Sequence, residues 1–340
     1  MRKILIINPF GLGDLLFTFP LIRALKEANS HNKISIWCND RVQEVLKDNP
    51  DIDKVFALSR GDLKKIYQRS FFQGSKQLFF LLRQIKKERF DLVIDFSLDH
   101  RYSLVCMMLG IRRRVGFDYK NRGRFLTNRI PLSGYSDKPM VEYYSELLRF
   151  ENIMPGKAGF ELFVTEGVQL KAQQTLSRLG INGSDLLVGI APGAGASWGV
   201  SASLKRWPAL RFAQLADRII EALHAKVIIF GDDSEKSLAE EISSAMKHKP
   251  VDLTGKSSLA ECAALMKNLK LLVTNDGGLL HLAVAAGTKT VSIFGPVDDK
   301  VYGPYPAGPR HMVIKKELSC RPCYRQFKMP LCPRDRECLK

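Results

Sequence analysis

The chain has 340 residues, of which 45% are hydrophobic and 26% charged, and a formal net charge of +17. One hydrophobic core rarely grows past about 250–300 residues, so two domains are expected, and the ordinary composition excludes a wholly disordered chain. The excess charge is uneven, net +11 over residues 1–150, +1 over 151–310 and +5 over 311–340, so the basic first half is read as facing an anionic partner: nucleic acid, an anionic membrane or an acidic substrate.

The opening MRKILIINPFGLGD breaks into turns after an apolar run of only residues 4–7. No signal peptide is expected, and no stretch approaches the ~18–20 apolar residues of a spanning helix, so a cytoplasmic protein is expected. Residues 3–8 read as a strand, Gly11-Leu12-Gly13-Asp14 as a turn, and the segment to about residue 28 as one amphipathic helix. Further strands are expected at 33–38, 54–58, 91–96 and 113–117, with a long helix over 63–89. Strands alternating with helices predict a parallel α/β sheet. The pattern weakens over 151–167, around Pro155-Gly156, and a domain boundary is expected there.

The alternation then restarts. Helices are expected at 169–179, 209–223, 234–246, 259–268 and 279–286, and strands at 186–191, 226–230, 251–253, 270–274 and 290–294. Two such domains facing each other form a cleft, and ligands bind outside the carboxyl ends of parallel strands.

Five constellations carry chemistry. In Thr274-Asn275-Asp276-Gly277-Gly278-Leu279-Leu280-His281 a strand runs into a helix. Two glycines there leave backbone N–H groups open at the positive end of the helix, which suits a phosphate. Asp276 is read as a helix cap or a ribose ligand, and His281 lies one turn in. The plain alternative is a capped helix with a tight entry. In the second, residues 191–196 form a small-residue loop, and Lys205-Arg206-Trp207-Pro208 supplies two cations able to close over a diphosphate; a solvated loop anchored by Trp207 is the structural alternative. Third, Gly11-Leu12-Gly13-Asp14 lacks the third glycine of a dinucleotide fingerprint. It sets Asp14 at a strand's carboxyl end, where a carboxylate serves as general base or simply caps a helix.

Fourth, Cys320, Cys323, Cys332 and Cys338 crowd a basic C-terminal segment, whereas Cys38, Cys106 and Cys262 sit singly in apolar contexts and read as core. Four cysteines in so short a stretch of a cytosolic protein read as a structural zinc or iron site, with free or redox-labile thiols as the alternative. The fifth is a basic surface in the first half: Arg60, Lys64, Lys65 and Arg69, then Arg112–Arg114, Arg122 and Arg124. Between these, Phe71, Phe72, Phe79 and Phe80 alternate with Arg83, Lys86 and Lys87. A basic helix with an aromatic face suits an anionic membrane. For the apolar residues the core is the favoured place, with the cations snorkelling outward; for the arginines an anionic acceptor is favoured.

These pieces in this order resemble glycosyltransferase family 9, the heptosyltransferases of lipopolysaccharide core assembly. The resemblance covers nearly the whole chain. It rests on the opening strand with Gly13-Asp14, on Pro192-Gly193-Ala194 with Lys205-Arg206-Trp207-Pro208, on Phe230-Gly231-Asp232, and above all on TNDGGLLHLAVAAGTKTVSIFGP, residues 274–296. It implies the α/β GT-B fold: two Rossmann-like, doubly wound parallel-sheet domains facing a central cleft. Residues 1–160 would be the acceptor domain, 161–310 the nucleotide-sugar donor domain and 311–340 a basic, Cys-rich tail.

The resemblance further implies an inverting transfer of a heptose or related sugar from an ADP-sugar to a lipopolysaccharide core or similar anionic glycolipid. Asp14 resembles the general base. Gly13, Lys205, Asp276, Gly277, Gly278 and His281 resemble donor-binding residues, Lys205 meeting the diphosphate. Arg60, Lys64, Arg122 and Arg124 resemble cations that meet acidic inner-core sugars. Gly277 departs from the family, which often has Thr or Ser there. Some relatives carry a C-terminal Cys cluster, in certain cases with bound metal. No catalytic divalent metal is required, because Lys205 and the helix N-terminus can stabilise the leaving diphosphate. Peripheral association with the cytoplasmic side of the inner membrane is expected. Two other classes remain at this stage. A nucleotide-sugar epimerase or hydrolase would turn over donor without acceptor. A basic nucleic-acid-binding protein would explain the charge, but no nucleic-acid motif is recognised.

Overall fold

The computed structural model describes residues 1–58, 60–154 and 160–340. The chain divides into two compact units, one of residues 1–135 with 140–159, the other of residues 136–139 with 160–340. The first contains, in order, β1 (Lys3–Asn8), α1 (Leu12–Leu16), α2 (Phe19–Ala28), β2 (Lys33–Cys38), β3 (Lys54–Ala57), α3 (Arg60–Arg69), α4 (Phe71–Glu88), β4 (Leu92–Asp95), α5 (His100–Met108), β5 (Arg113–Tyr119), β6 (Asn128–Leu132) and α6 (Met140–Ser145). The second contains α7 (Glu166–Arg178), β7 (Leu187–Ala191), α8 (Ala209–Leu223), β8 (Lys226–Ile229), α9 (Lys236–Ala245), β9 (Val251–Asp252), α10 (Leu259–Met266), β10 (Leu271–Asn275), α11 (Gly278–Ala285), β11 (Thr290–Phe294), α12 (Asp299–Tyr302) and β12 (His311–Lys315).

Each unit is built on a six-stranded sheet, ordered β3-β2-β1-β4-β5-β6 in the first and β12-β11-β10-β7-β8-β9 in the second. Every strand pair is parallel. Read from the other edge, the second order matches the first, the doubly wound Rossmann arrangement. Buried on both faces, the central strands are continuous apolar runs: Ile4–Ile7 in β1 and Leu187–Ala191 in β7 are all buried.

Two expected helices are broken, each for a local reason. The helix expected after the Gly11–Asp14 turn and up to about residue 28 is divided: α1 already takes up Leu12–Leu16, and α2 begins at Phe19. Pro20 lacks an N–H and its ring crowds the carbonyl four residues back, so α2 restarts with Pro20 at its beginning. The helix expected over 63–89 splits at Ser70, whose hydroxyl accepts the N–H of Gln73 and caps α4. Gly74 then lets α4 approach α3, because a Cβ there would lie 2.8 Å from the Tyr67 ring.

The core beneath α4 corrects the expectation for its aromatics. Leu81 and Ile85 pack into a cluster with Leu5, Ile7, Trp37 and Phe90. Phe71, Phe72, Phe79 and Phe80 are exposed instead. Their spacing along a 3.6-residue turn leaves one face for the sheet, and Leu81 and Ile85 occupy it. Cys38, Cys106 and Cys262 are buried, as their apolar surroundings imply.

Residues 311–340 are not a detached tail. β12 adds the edge strand beside β11, and Leu339 is buried in the core with Phe212, Ile229 and Ile293. The N–H groups of Cys323 and Tyr324 donate to the carbonyl of Pro296, and the Arg321 guanidinium donates to Gly295.

Candidate active site

In a doubly wound sheet, ligands bind where the strand order reverses. In the second unit that point lies between β7 and β10. Asn275, the last residue of β10, is fully buried and ties the crevice together. Its Nδ2 donates to the carbonyl of Pro192 at 2.6 Å, and its Oδ1 accepts the N–H of Trp207 at 3.0 Å. The Thr274 hydroxyl adds a 3.1 Å bond to the carbonyl of Ala191. Three segments distant in sequence are thereby held at one strand end.

Asp276 does not cap α11, whose N-cap is Gly277 with an extended backbone and no side-chain cap. It pairs instead with Lys205 at 2.7 Å, and both side chains are buried, 6% and 2% exposed. The Lys205 ammonium also lies 3.8 Å from the centre of the Trp198 ring, a cation–π contact. Tyr324 stacks edge-on against Trp198 at 4.9 Å. Lys205 and Asp276 are therefore one buried ion pair, roofed by Trp198 and buttressed by the C-terminal segment. His281, one turn into α11, is buried too. Desolvation first, and the Lys205 charge second, push its pKa down to about 3, so the imidazole is neutral at physiological pH. Gly278 opens α11 beside it, and a Cβ on Gly277 would meet the Ala194 backbone at 3.4 Å, an ordinary contact distance.

The loop after β7 differs from its expected role as a free diphosphate cradle. Glu235 fills it. One carboxylate oxygen accepts the N–H groups of Ala194 and Gly195 at 3.1 and 3.2 Å, and Arg206 pairs with the same oxygen at 3.4 Å. The other accepts the N–H of Asp232, closing a capping box. Gly193 is required there, because a Cβ would sit 1.9 Å from Glu235. Sequence reasoning missed Glu235, although Asp232 followed three residues later by Glu is a capping-box signature at the quoted Phe230-Gly231-Asp232 turn.

In the first unit the reversal lies between β1 and β4. Asn8, again fully buried at a strand end, holds the Gly11–Asp14 turn: its Nδ2 donates to the Asp14 carbonyl at 2.9 Å and its Oδ1 accepts the Phe10 N–H at 3.2 Å. Gly13 and Asp14 fall in the single turn of α1, with Asp14 half-buried. Beside them Asp95 ends β4. Burial, only partly offset by hydrogen bonds from Ser97, pushes its pKa up to about 7. This buried carboxylate was also missed; its signal was an acid closing an apolar strand.

The expected acceptor cations follow β3 and β5. Arg122 and Arg124 are exposed on the turn after β5, each over an aromatic ring, Tyr119 and Phe125 respectively. Lys64 is exposed on α3, which follows β3; the side chain of Arg60 lies outside the described residues. β3 and β5 are each two strands from β1, about 10 Å to either side.

The four C-terminal cysteines do meet. Cys320, Cys323, Cys332 and Cys338 line one cavity of about 30 Å³. No group of three or more His, Cys, Asp or Glu side chains that could hold a metal ion occurs among the described residues. Burial raises the pKa of Cys323 and Cys338, which favours thiols over thiolates, and Cys338 leans into the apolar core. The structural zinc or iron expected from the spacing gains no support from this arrangement of side chains.

Two doubly wound sheets, the second carrying a glycine-opened helix beside a buried Lys–Asp pair, define an α/β protein of the GT-B type. A profile of glycosyltransferase family 9 (heptosyltransferase) matches residues 78–331, and the chain belongs to this family. It is similar to lipooligosaccharide heptosyltransferase 2 of Haemophilus influenzae, 26% identical over 313 residues that cover 89% of this chain and 86% of that protein. It also resembles the crystal structure of the family 9 glycosyltransferase from Veillonella parvula, with TM-score 0.80, 26% identity and coverage of 95% and 90% of the two chains. Its fold is shared with Escherichia coli ADP-heptose heptosyltransferase II, at TM-score 0.74, 23% identity and coverage of 93% and 91%. The protein is a heptosyltransferase-like glycosyltransferase.

Proposed function

We propose that this glycosyltransferase moves a heptose, or a closely related sugar, from an ADP-sugar to the anionic core of a lipopolysaccharide-type glycolipid, inverting C1, at the cytoplasmic face of the inner membrane. The observation that carries the reading is the β7–β10 crevice, where the N-terminus of α11, the Lys205–Asp276 pair and neutral His281 converge. Relatives named as lipooligosaccharide heptosyltransferases support the choice of sugar and acceptor.

Asp14 takes the proton of an acceptor hydroxyl as that oxygen forms its bond to C1. The bond from C1 to the diphosphate oxygen breaks, and ADP leaves with the electron pair. Negative charge grows on the diphosphate, so groups that meet it there lower the barrier more than they tighten ground-state binding. The N–H groups at the N-terminus of α11 carry the positive end of its dipole. Lys205 adds a full charge, and Asp276, with which it is paired, holds that charge in place and faces the ribose. Gly13 and Gly277 sit in the two turns that meet the donor. Arg60, Lys64, Arg122 and Arg124 receive the anionic acceptor. The chemistry runs without a catalytic metal.

The test is thermal stabilisation by nucleoside diphosphates, followed by transfer from the matching sugar nucleotide. ADP should stabilise the protein where UDP and GDP do not. Equal stabilisation by UDP removes the adenine assignment, and donor consumption at full rate without acceptor replaces transfer by hydrolysis or epimerisation.

A further inference from the structure

The outward face of α4 has no counterpart in the machinery just described. Successive residues of a helix are rotated by about 100°, so residues 72, 76, 79, 80, 83, 86 and 87 fall on one side and Leu81 and Ile85 on the other. The second side packs on the sheet. The first carries three phenylalanines: Phe72 is 84% exposed, Phe79 61% and Phe80 49%. Between and beyond them stand exposed Lys76, Arg83, Lys86 and Lys87. The sole acid of α4, Glu88, is bound to Lys54 at 2.7 Å and faces away from this stripe. Aromatic rings concentrate in the first half of the stripe and cations in the second, and Lys76 reaches back over the Phe80 ring at 6.0 Å.

We propose that this stripe is a docking surface for an anionic phospholipid bilayer, with Phe72, Phe79 and Phe80 seated among the acyl chains and Lys76, Arg83, Lys86 and Lys87 in the headgroup layer. The chemistry of the face selects this occupant. Rings at the acyl boundary with cations among phosphates is how an amphipathic helix lies in an interface. A second copy of the chain docked through the same face by a two-fold axis would bury eight cations with no acid to meet them. A neutral protein groove would satisfy the rings and strand the charges. Among the described residues no helix is long and apolar enough to cross a membrane, so contact is with the surface layer.

The inference rests on the reading that the acceptor is lipid-borne, and its test is separable from that reading. The full-length protein is floated with vesicles of phosphatidylcholine containing 30–40 mole per cent phosphatidylglycerol (a composition of the order used for anionic bilayers) and with pure phosphatidylcholine. The wild type should float with the anionic vesicles and not the neutral ones. Raised salt should weaken the binding, because the screening length falls below about 8 Å. Phe72→Ser/Phe79→Ser/Phe80→Ser should lose at least about tenfold in vesicle affinity, each buried ring being a large apolar contribution. Lys76→Glu/Arg83→Glu should abolish the preference for anionic lipid. Both variants should keep the wild-type thermal stabilisation by ADP, which reports folding of the second unit independently of membranes. The proposal is overturned if the wild type does not float with anionic vesicles, if the phenylalanine variant floats equally well, or if the wild type is a dimer that this variant dissociates. Transfer to a detergent-solubilised acceptor decides the lipid-acceptor reading separately, since it needs no bilayer.

Discussion

At the carboxyl edge of the first sheet a buried asparagine, Asn8, grips the turn that carries Asp14, and the neighbouring strand ends on Asp95. At the same edge of the second sheet another buried asparagine, Asn275, grips two loops, and the next residue, Asp276, is neutralised by Lys205. One topology and one device for fastening loops thus serve two electrostatic settings. The first edge holds one carboxylate, Asp95, close to the point of changing protonation state. The second holds its acids in ion pairs or hydrogen bonds and keeps its histidine neutral. A proton acceptor suits the first setting, and a fixed field for a departing diphosphate suits the second.

The contrast breaks most directly at Asp14. Asp14→Ala should cut turnover by roughly 10²–10⁴-fold while leaving ADP affinity by calorimetry unchanged; a comparable loss of ADP affinity places Asp14 at the donor instead. On the other edge, Lys205→Met leaves Asp276 as a lone buried carboxylate. Removing one partner of a buried pair costs about 3–5 kcal/mol, read as a lower urea midpoint, and ADP affinity should fall with it. Adding Asp276→Asn should restore most of the stability but not the affinity. If the double variant binds ADP normally, the pair is structural only.

The two edges should also respond to pH with opposite signs. Asp95 has a folded pKa of about 7, above its ordinary value of 3.8. Between those limits the folded state binds more protons, so this residue's contribution to stability falls as pH rises from about 4 to 7. His281 has a folded pKa of about 3, below its ordinary 6.5. There the unfolded state binds more protons, so its contribution rises over about pH 3 to 6.5 and is lost on acidification. Each slope is at most about 1.4 kcal/mol per pH unit. The slope of stability against pH, measured by denaturant titration, should therefore become more positive in Asp95→Asn and more negative in His281→Gln. Identical profiles for both variants and the wild type would remove the electrostatic distinction between the edges. The smallest effect belongs to Gly277→Ser. Its extended backbone accepts serine, and the hydroxyl can cap α11, so stability should rise by a few tenths of a kcal/mol. ADP affinity should change by less than the Lys205 variant changes it.

Much of this was legible along the chain. Apolar runs of strand length, separated by helical periodicity and punctuated by Gly and Pro, located ten of the twelve strands. The two missed are edge strands. β6 is half-exposed and contains Pro131, and β12 alternates partly buried with exposed residues, so neither reads as a continuous apolar run. The donor turn was legible as a motif, because Asp276, Gly277, Gly278 and His281 are neighbours in sequence. Its chemistry was not, since Lys205 lies seventy-one residues from Asp276 and Glu235 some forty from Ala194. Their pairing depends on which strand ends adjoin, which follows from the order β10-β7-β8 and not from any local pattern.

The sequence by itself determined the two doubly wound halves and the family, because periodicity and turn chemistry are local properties. Only the tertiary structure decided which charges meet. It paired Lys205 with Asp276 and Arg206 with Glu235, raised Asp95 and lowered His281, and gathered the thiols of the C-terminal segment around one cavity. Each of these depends on burial and on distances across the fold, to which spacing along the chain is blind.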